Sequence, residues 1–98
     1  MIHVEVDKAA IEAFCRRSNI RRLALFGSVL REDFTPNSDI DILVEFEAGH
    51  MPGFAFIGVQ DELATIVGRP VDLNTTGSFH GPLRERILKS AEVIFDGA

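Results

Sequence analysis

Apolar residues along this chain change their period several times, and each change marks the border of a structural element. Ala10, Ile11, Phe14 and Cys15 recur at helical spacing behind Asp7, a good N-cap, with Arg16 and Arg17 near the end, predicting a helix over residues 8–18. The short apolar run RLALF, residues 22–26, predicts a strand ended by Gly27, with Ser28 placed to cap a short second helix through Glu32. Pro36 and Asn37 mark a turn into a strand over residues 39–46, after which AGHMPG is a loop. A helical stripe of Phe56, Val59, Leu63, Ile66 and Val67 stops at Gly68, where a glycine commonly ends a helix. A short strand follows over residues 70–74, then a loop over 75–81. Pro82 opens a final helix carrying Leu83, Ile87, Leu88 and Ala91 on one side, and residues 93–95 form an edge strand or a docked tail.

Strands separated by helices predict an α/β (α+β) fold: a small mixed sheet flanked by helices, partly parallel because crossover helices join consecutive strands. The 98 residues are expected to form one domain, 1–98, burying roughly two-thirds of the surface of the unfolded chain. No apolar run approaches the ~20 residues of a membrane span, and the N-terminus has no basic segment followed by an apolar block, so a soluble protein with no membrane contact is expected. The single Cys15 cannot form an internal disulfide and fits a reducing cytoplasm. A net charge of -5 and a pI near 5.0 argue against holding nucleic acid by phosphate neutralisation, so no direct nucleic-acid binding is expected. The eight Phe, with no Tyr and no Trp, read as core.

Against this ordinary background, SDIDILVEF places two carboxylates inside an apolar run. Alternation in a strand puts Ile40, Ile42, Val44 and Phe46 on one side and Asp39, Asp41, Leu43 and Glu45 on the other. Both aspartates therefore point the same way, at a spacing of roughly 6.5 to 7 Å, and can lean onto divalent cations, without which they repel one another. Hard oxygen ligands favour magnesium. On this pair alone, a strand that merely begins at an exposed surface stands equally open. Asp72, a lone acid between Val71 and Leu73 in another short strand, supplies a third carboxylate, which could hold a cation or accept the proton of an attacking hydroxyl.

Gly27-Ser28 at a strand-to-helix junction offers a close backbone approach, unpaired N–H groups and a hydroxyl to a phosphate. Arg31, one turn on, is either a further phosphate contact or a solvated helix charge. Arg84, Arg86 and Lys89 pose the same choice on the last helix, and the loop 48–54 is either a plain connector or a border of the site.

Gly27-Ser28, a ten-residue spacer, Asp39-Ile40-Asp41 and the later Asp72 resemble the nucleotidyltransferase superfamily typified by DNA polymerase beta. More narrowly, FGSVLREDFTPNSDIDILVEF followed by GRPVDLNT resembles the minimal nucleotidyltransferase (MNT) domain proteins, antitoxins often paired with a HEPN-domain toxin. The resemblance covers nearly the whole chain. It implies the polymerase beta-like nucleotidyltransferase fold, Asp39, Asp41 and Asp72 as catalytic and metal residues, and Gly27 and Ser28 at the nucleotide, where Arg31 is the further candidate from its position one turn on. It also implies Mg2+, as two ions, with ATP as donor and a HEPN-domain protein as acceptor of AMP on a tyrosine. The chain has no Tyr of its own, so it cannot be that acceptor. An antitoxin that occludes its partner without turnover is the rival reading, and transfer to a small molecule a third, disfavoured because little chain is left to build an acceptor pocket. Ile2, Val4 and residues 93–95 could supply apolar surface for a homodimer or for a hetero-oligomer. No Walker A or G-x-G-x-x-G sequence is present, and His3, His50 and His80 lack the spacing of zinc ligands.

Overall fold

The computed structural model describes residues 6–30, 35, 38–50 and 52–97, and for Ser28 and Val29 the backbone alone. Ile2, Val4, Arg31, Pro36 and Asn37, and the far end of the expected second helix, lie outside the described residues. Helix α1 (Lys8–Arg17) starts where expected, because the Asp7 carboxylate accepts the Ala10 N–H at 3.1 Å and so satisfies a donor that the first turn leaves unpaired. It ends at Ser18 and passes into Asn19, whose left-handed backbone (φ 57°) turns the chain into β1 (Ile20–Phe26). Strand β2 (Ile40–Phe46) is followed by α2 (Phe56–Val67), β3 (Val71–Thr75), α3 (Gly81–Ser90) and β4 (Glu92–Asp96). Gly68 stops α2 in the left-handed region (φ 76°), its N–H returning to the Ala64 carbonyl at 2.9 Å.

The four strands form one mixed sheet in the order β3-β2-β1-β4. The β2 and β3 strands are parallel, joined through α2, as a crossover helix requires. Not every consecutive pair follows that rule: β1 and β2 are antiparallel, with Phe26 at the end of one beside Asp41 near the start of the other. The chain after β3 runs along α3 past both central strands, and β4 pairs antiparallel with the far side of β1. The tail is thus an edge strand.

Alternation along the strands gives the sheet two unlike faces. On the first, Leu23, Leu25, Ile40, Ile42 and Val44 are at most 1% exposed and pack with Ile11, Phe14 and Cys15 of α1 and Leu63 of α2. Each such side chain contributes about 1.5–3 kcal/mol by leaving water. On the second face Ala24, Phe26 and Leu43 form a smaller cluster covered by Phe79, Ile87 and Ala91. Here the expected stripe of α3 divides: Ile87 and Ala91 pack, whereas Leu83 and Leu88 stay 49% and 41% exposed, since α3 meets the sheet along one narrow line.

Two details secure the sheet's ends. The Gln60 side-chain carbonyl on α2 accepts the Leu73 N–H of the edge strand β3 at 3.0 Å. Across the second face, Arg22 lies between Glu45 (3.4 Å) and Asp96 (3.5 Å). Among the described residues, no helix is long and apolar enough to cross a membrane.

Candidate functional site

The acids gather at the end of the second face where β1 finishes and β2 and β3 begin. Asp41 and Asp72 are register partners on the parallel strands β2 and β3, so their side chains leave neighbouring backbones on one face. Asp41 is half-buried and Asp72 exposed. Strand β2 begins at Ile40, so Asp39 stands one residue outside it and is exposed, although the expected strand includes it. Among the described residues no three His, Cys, Asp or Glu side chains lie close enough together to share a metal ion. The backbone thus brings Asp39, Asp41 and Asp72 to one end of the sheet without drawing them into a single ligand group.

Gly27 belongs to this site through Asp41. Phe26 is the register partner of Asp41, so the residue after Phe26 necessarily passes beside that carboxylate. A Cβ on Gly27 would stand 2.2 Å from the Asp41 Oδ2, and its backbone lies in the left-handed region (φ 74°). Any side chain there meets both a steric and a conformational penalty. The turn that follows is a short 3-10 helix over Gly27–Leu30, not an α-helix capped by Ser28. It opens at the glycine, which leaves Ser28 inside the turn as its second residue.

Asp41 and Asp72, carboxylates paired on neighbouring strands, are donors of the kind that a hard divalent cation takes, and the missing Cβ of Gly27 leaves room beside Asp41. Beside Gly27 lies a cleft of about 490 Å3, lined by Leu30, Leu83, Arg86, Ile87, Ser90 and Glu92. That volume falls in the range of small-molecule sites, roughly 300–1,000 Å3. The basic residues of α3 are thereby told apart. Arg86 faces the cleft, whereas the Arg84 Nε is held at 3.3 Å by the Thr76 carbonyl.

The loop over residues 48–54 follows β2 in the chain. It leaves the other end of β2, about 17 Å from Asp41 at ~3.3 Å per residue, where the Glu47 N–H bonds the Asn19 carbonyl at 2.8 Å. What the sequence pattern misses is the fastening of the segment that carries Asp39. The Thr35 carbonyl accepts the Ser38 N–H (3.0 Å) and the Arg69 guanidinium (3.4 Å), while the Ile40 N–H reaches the Pro70 carbonyl (2.9 Å). The Ser38 hydroxyl closes the turn by accepting the Thr35 N–H at 3.1 Å. A lone cation between a helix-ending glycine and the proline before an acid-bearing strand is the one signal that could have pointed to Arg69.

Comparison with known proteins shows the family and the fold. Residues 8–94 match the nucleotidyltransferase domain family. A Methanocaldococcus jannaschii protein assigned as a protein adenylyltransferase is 37% identical over 90 residues, covering 92% of this chain and 96% of its own. Protein adenylyltransferase MntA of Thermococcus cleftensis is 32% identical over 80 residues, or 81% of this chain and 77% of its own. A solved structure assigned as a minimal nucleotidyltransferase superposes with a TM-score of 0.71 at 31% identity, over 86% of this chain and 85% of that one. The fold is also shared by a complex of a tri-AMPylated Shewanella oneidensis HEPN toxin with its MNT antitoxin (TM-score 0.64, 22% identity, 91% of this chain and 69% of that one).

Proposed function

This chain belongs to the nucleotidyltransferase domain family, and from that premise we propose that it is an antitoxin that transfers AMP from ATP to a hydroxyl of a HEPN-type partner protein. In this reading the acceptor oxygen forms a bond to the α-phosphorus while the bond from that phosphorus to the bridging oxygen breaks, and pyrophosphate leaves. Asp72, exposed at the start of β3, takes the proton from the attacking hydroxyl. Asp39, Asp41 and Asp72 are the residues to hold Mg2+, as two ions, which supplies charge neutralisation at the α-phosphate and the leaving group. Gly27 and Ser28 receive the phosphates at the turn that ends β1, with Arg31 beside them.

The observation that carries this reading is the pairing of Asp41 with Asp72 across two strands, with Gly27 seated against the Asp41 carboxylate. It needs an acceptor from another chain, since no tyrosine is present in this one. The named relatives support the direction: MntA of Thermococcus cleftensis is a protein adenylyltransferase, and the Shewanella oneidensis MNT antitoxin is bound to an AMP-carrying HEPN toxin. A reducing cytoplasm suits the free, buried Cys15.

The test is incubation with α-labelled ATP, MgCl2 and a HEPN-domain protein as the candidate partner. Label appears on the partner and is lost with Asp41→Asn, which keeps the shape of the side chain and removes its charge. Absence of label together with suppression of the toxin would identify an occluding antitoxin and end the transferase reading.

A further inference from the structure

Asp39 is the acid that no strand holds, yet it has to reach the pair on β2 and β3. The chain around it is not left to itself. Thr35 and Ile40, on either side of it in the chain, are tied to residues 69 and 70: the Arg69 guanidinium donates to the Thr35 carbonyl at 3.4 Å, and the Ile40 N–H donates to the Pro70 carbonyl at 2.9 Å. Asp39 sits between those two ties, and Asp72 lies two residues beyond Pro70 on the same segment. Within the span, the Thr35 carbonyl also takes the Ser38 N–H at 3.0 Å, and the Thr35 and Ser38 hydroxyls lie 3.1 Å apart. The Thr35 carbonyl is therefore a node on which a side chain from one strand's approach and a main-chain donor from another's converge.

The Ile40 tie continues the backbone ladder and is available to any sequence in this register. The Arg69 tie is different, since only a long side chain ending in several donors can make it, and its charge strengthens the bond to a neutral carbonyl. We infer that Arg69 is a positioning residue for the proposed reaction: it straps the segment carrying Asp39 to the approach of β3, so that Asp39 and Asp72 face one divalent cation together. The inference rests on the metal-dependent transferase reading. It assigns Arg69 no contact with nucleotide or acceptor; its effect passes through Asp39.

The experiment is titration of the full chain with Mn2+ alone, read by the electron-paramagnetic-resonance signal of the free ion, in four proteins: unmodified, Arg69→Ala, Asp39→Asn and the double variant. Loss of an outer-shell partner costs about 10–100-fold in metal affinity, so Arg69→Ala is expected to raise the Mn2+ Kd at least about tenfold. In the Asp39→Asn background the same substitution leaves the Kd unchanged, because the group it positions has gone. Arg69→Lys, which restores a cation at the strap, recovers part of the loss, and thermal melting of both Arg69 variants shows that the fold persists. An unchanged Kd in Arg69→Ala overturns the inference, as does an equal loss in both backgrounds. So does a variant that melts early and loses Mn2+ in Arg69→Lys as completely as in Arg69→Ala, since Arg69 is then a structural residue. If the unmodified chain takes up no Mn2+, the metal reading under the proposed function fails, and this inference with it. If the chain binds Mn2+ and Arg69→Ala is silent, only this inference fails.

Discussion

The two faces of strand β2 belong to the same seven residues and obey opposite rules. On one, Ile40, Ile42 and Val44 are almost wholly removed from water against α1 and α2. On the other, Asp41, Leu43 and Glu45 share their surface with α3, and both carboxylates keep partial contact with solvent. The difference lies in what each face is free to lose. The dry face holds the sheet together by apolar contact, which is non-directional and tolerates no charge. The acid face can carry charge at its two ends because its own apolar cluster is small and central. At one end Arg22 answers Glu45 and Asp96 across three strands. At the other, Asp41 and Asp72 stand side by side on paired strands, with Gly27 against the Asp41 carboxylate. In the proposed reading it is this second end that takes the ligand.

Substitutions on each face should divide accordingly. The largest effect on stability is expected from Ile42→Ala on the dry face, about 2–5 kcal/mol by denaturant unfolding, from lost burial and a cavity that the packed helices cannot fill. AMP transfer per folded molecule should hold; a matching fall in rate would mean that the faces are not independent. Gly27→Ala should reverse the pattern. Its new methyl group would displace the Asp41 carboxylate and sit in the left-handed region, lowering transfer by about 100-fold. The accompanying loss of stability is only about 1–2 kcal/mol. Full activity in this variant would show that the seat of Asp41 is set by something other than the glycine.

The smallest effect tests how dry the dry face is. Burial pushes the Cys15 thiol from 9.0 up to about 12. The native state therefore holds its proton where the unfolded chain has already released one, and the sign follows from that difference. The stability this supplies is complete below pH 9 and is lost progressively as pH rises toward 12. Denaturation midpoints measured across that range should fall less steeply in Cys15→Ala than in the unmodified chain. Identical slopes would mean that solvent reaches the thiol.

How much of this the sequence discloses depends on the range of the interaction. The Asp7 cap, the stop at Gly68 and the alternation of β2 are local, and each was legible residue by residue. Parity alone placed Asp72 on the face away from Val71 and Leu73, but only the β2-β3 register sets it beside Asp41. The antiparallel return from β1 to β2 was not legible, because the intervening residues carry no period that distinguishes a reversal from a crossover. Nor was the split of the α3 stripe, since which of Leu83, Ile87 and Leu88 meets the sheet depends on the line along which the helix crosses it. The motif spacing links Gly27 to Asp41, 14 positions on, without disclosing their contact, whereas the reach of Arg69 to Thr35, 34 positions apart, has no spacing rule behind it.

The Gln60 amide on the rim of β3 bears on assembly. By occupying the Leu73 N–H, it withdraws from that border a donor that an incoming strand would need, so lengthening the sheet there first requires prying a helix side chain away. The flank nearest Asp72 is thereby shielded from sticking to other chains backbone to backbone. Strand-to-strand addition beside that carboxylate is made costlier by the one hydrogen bond that would first have to break.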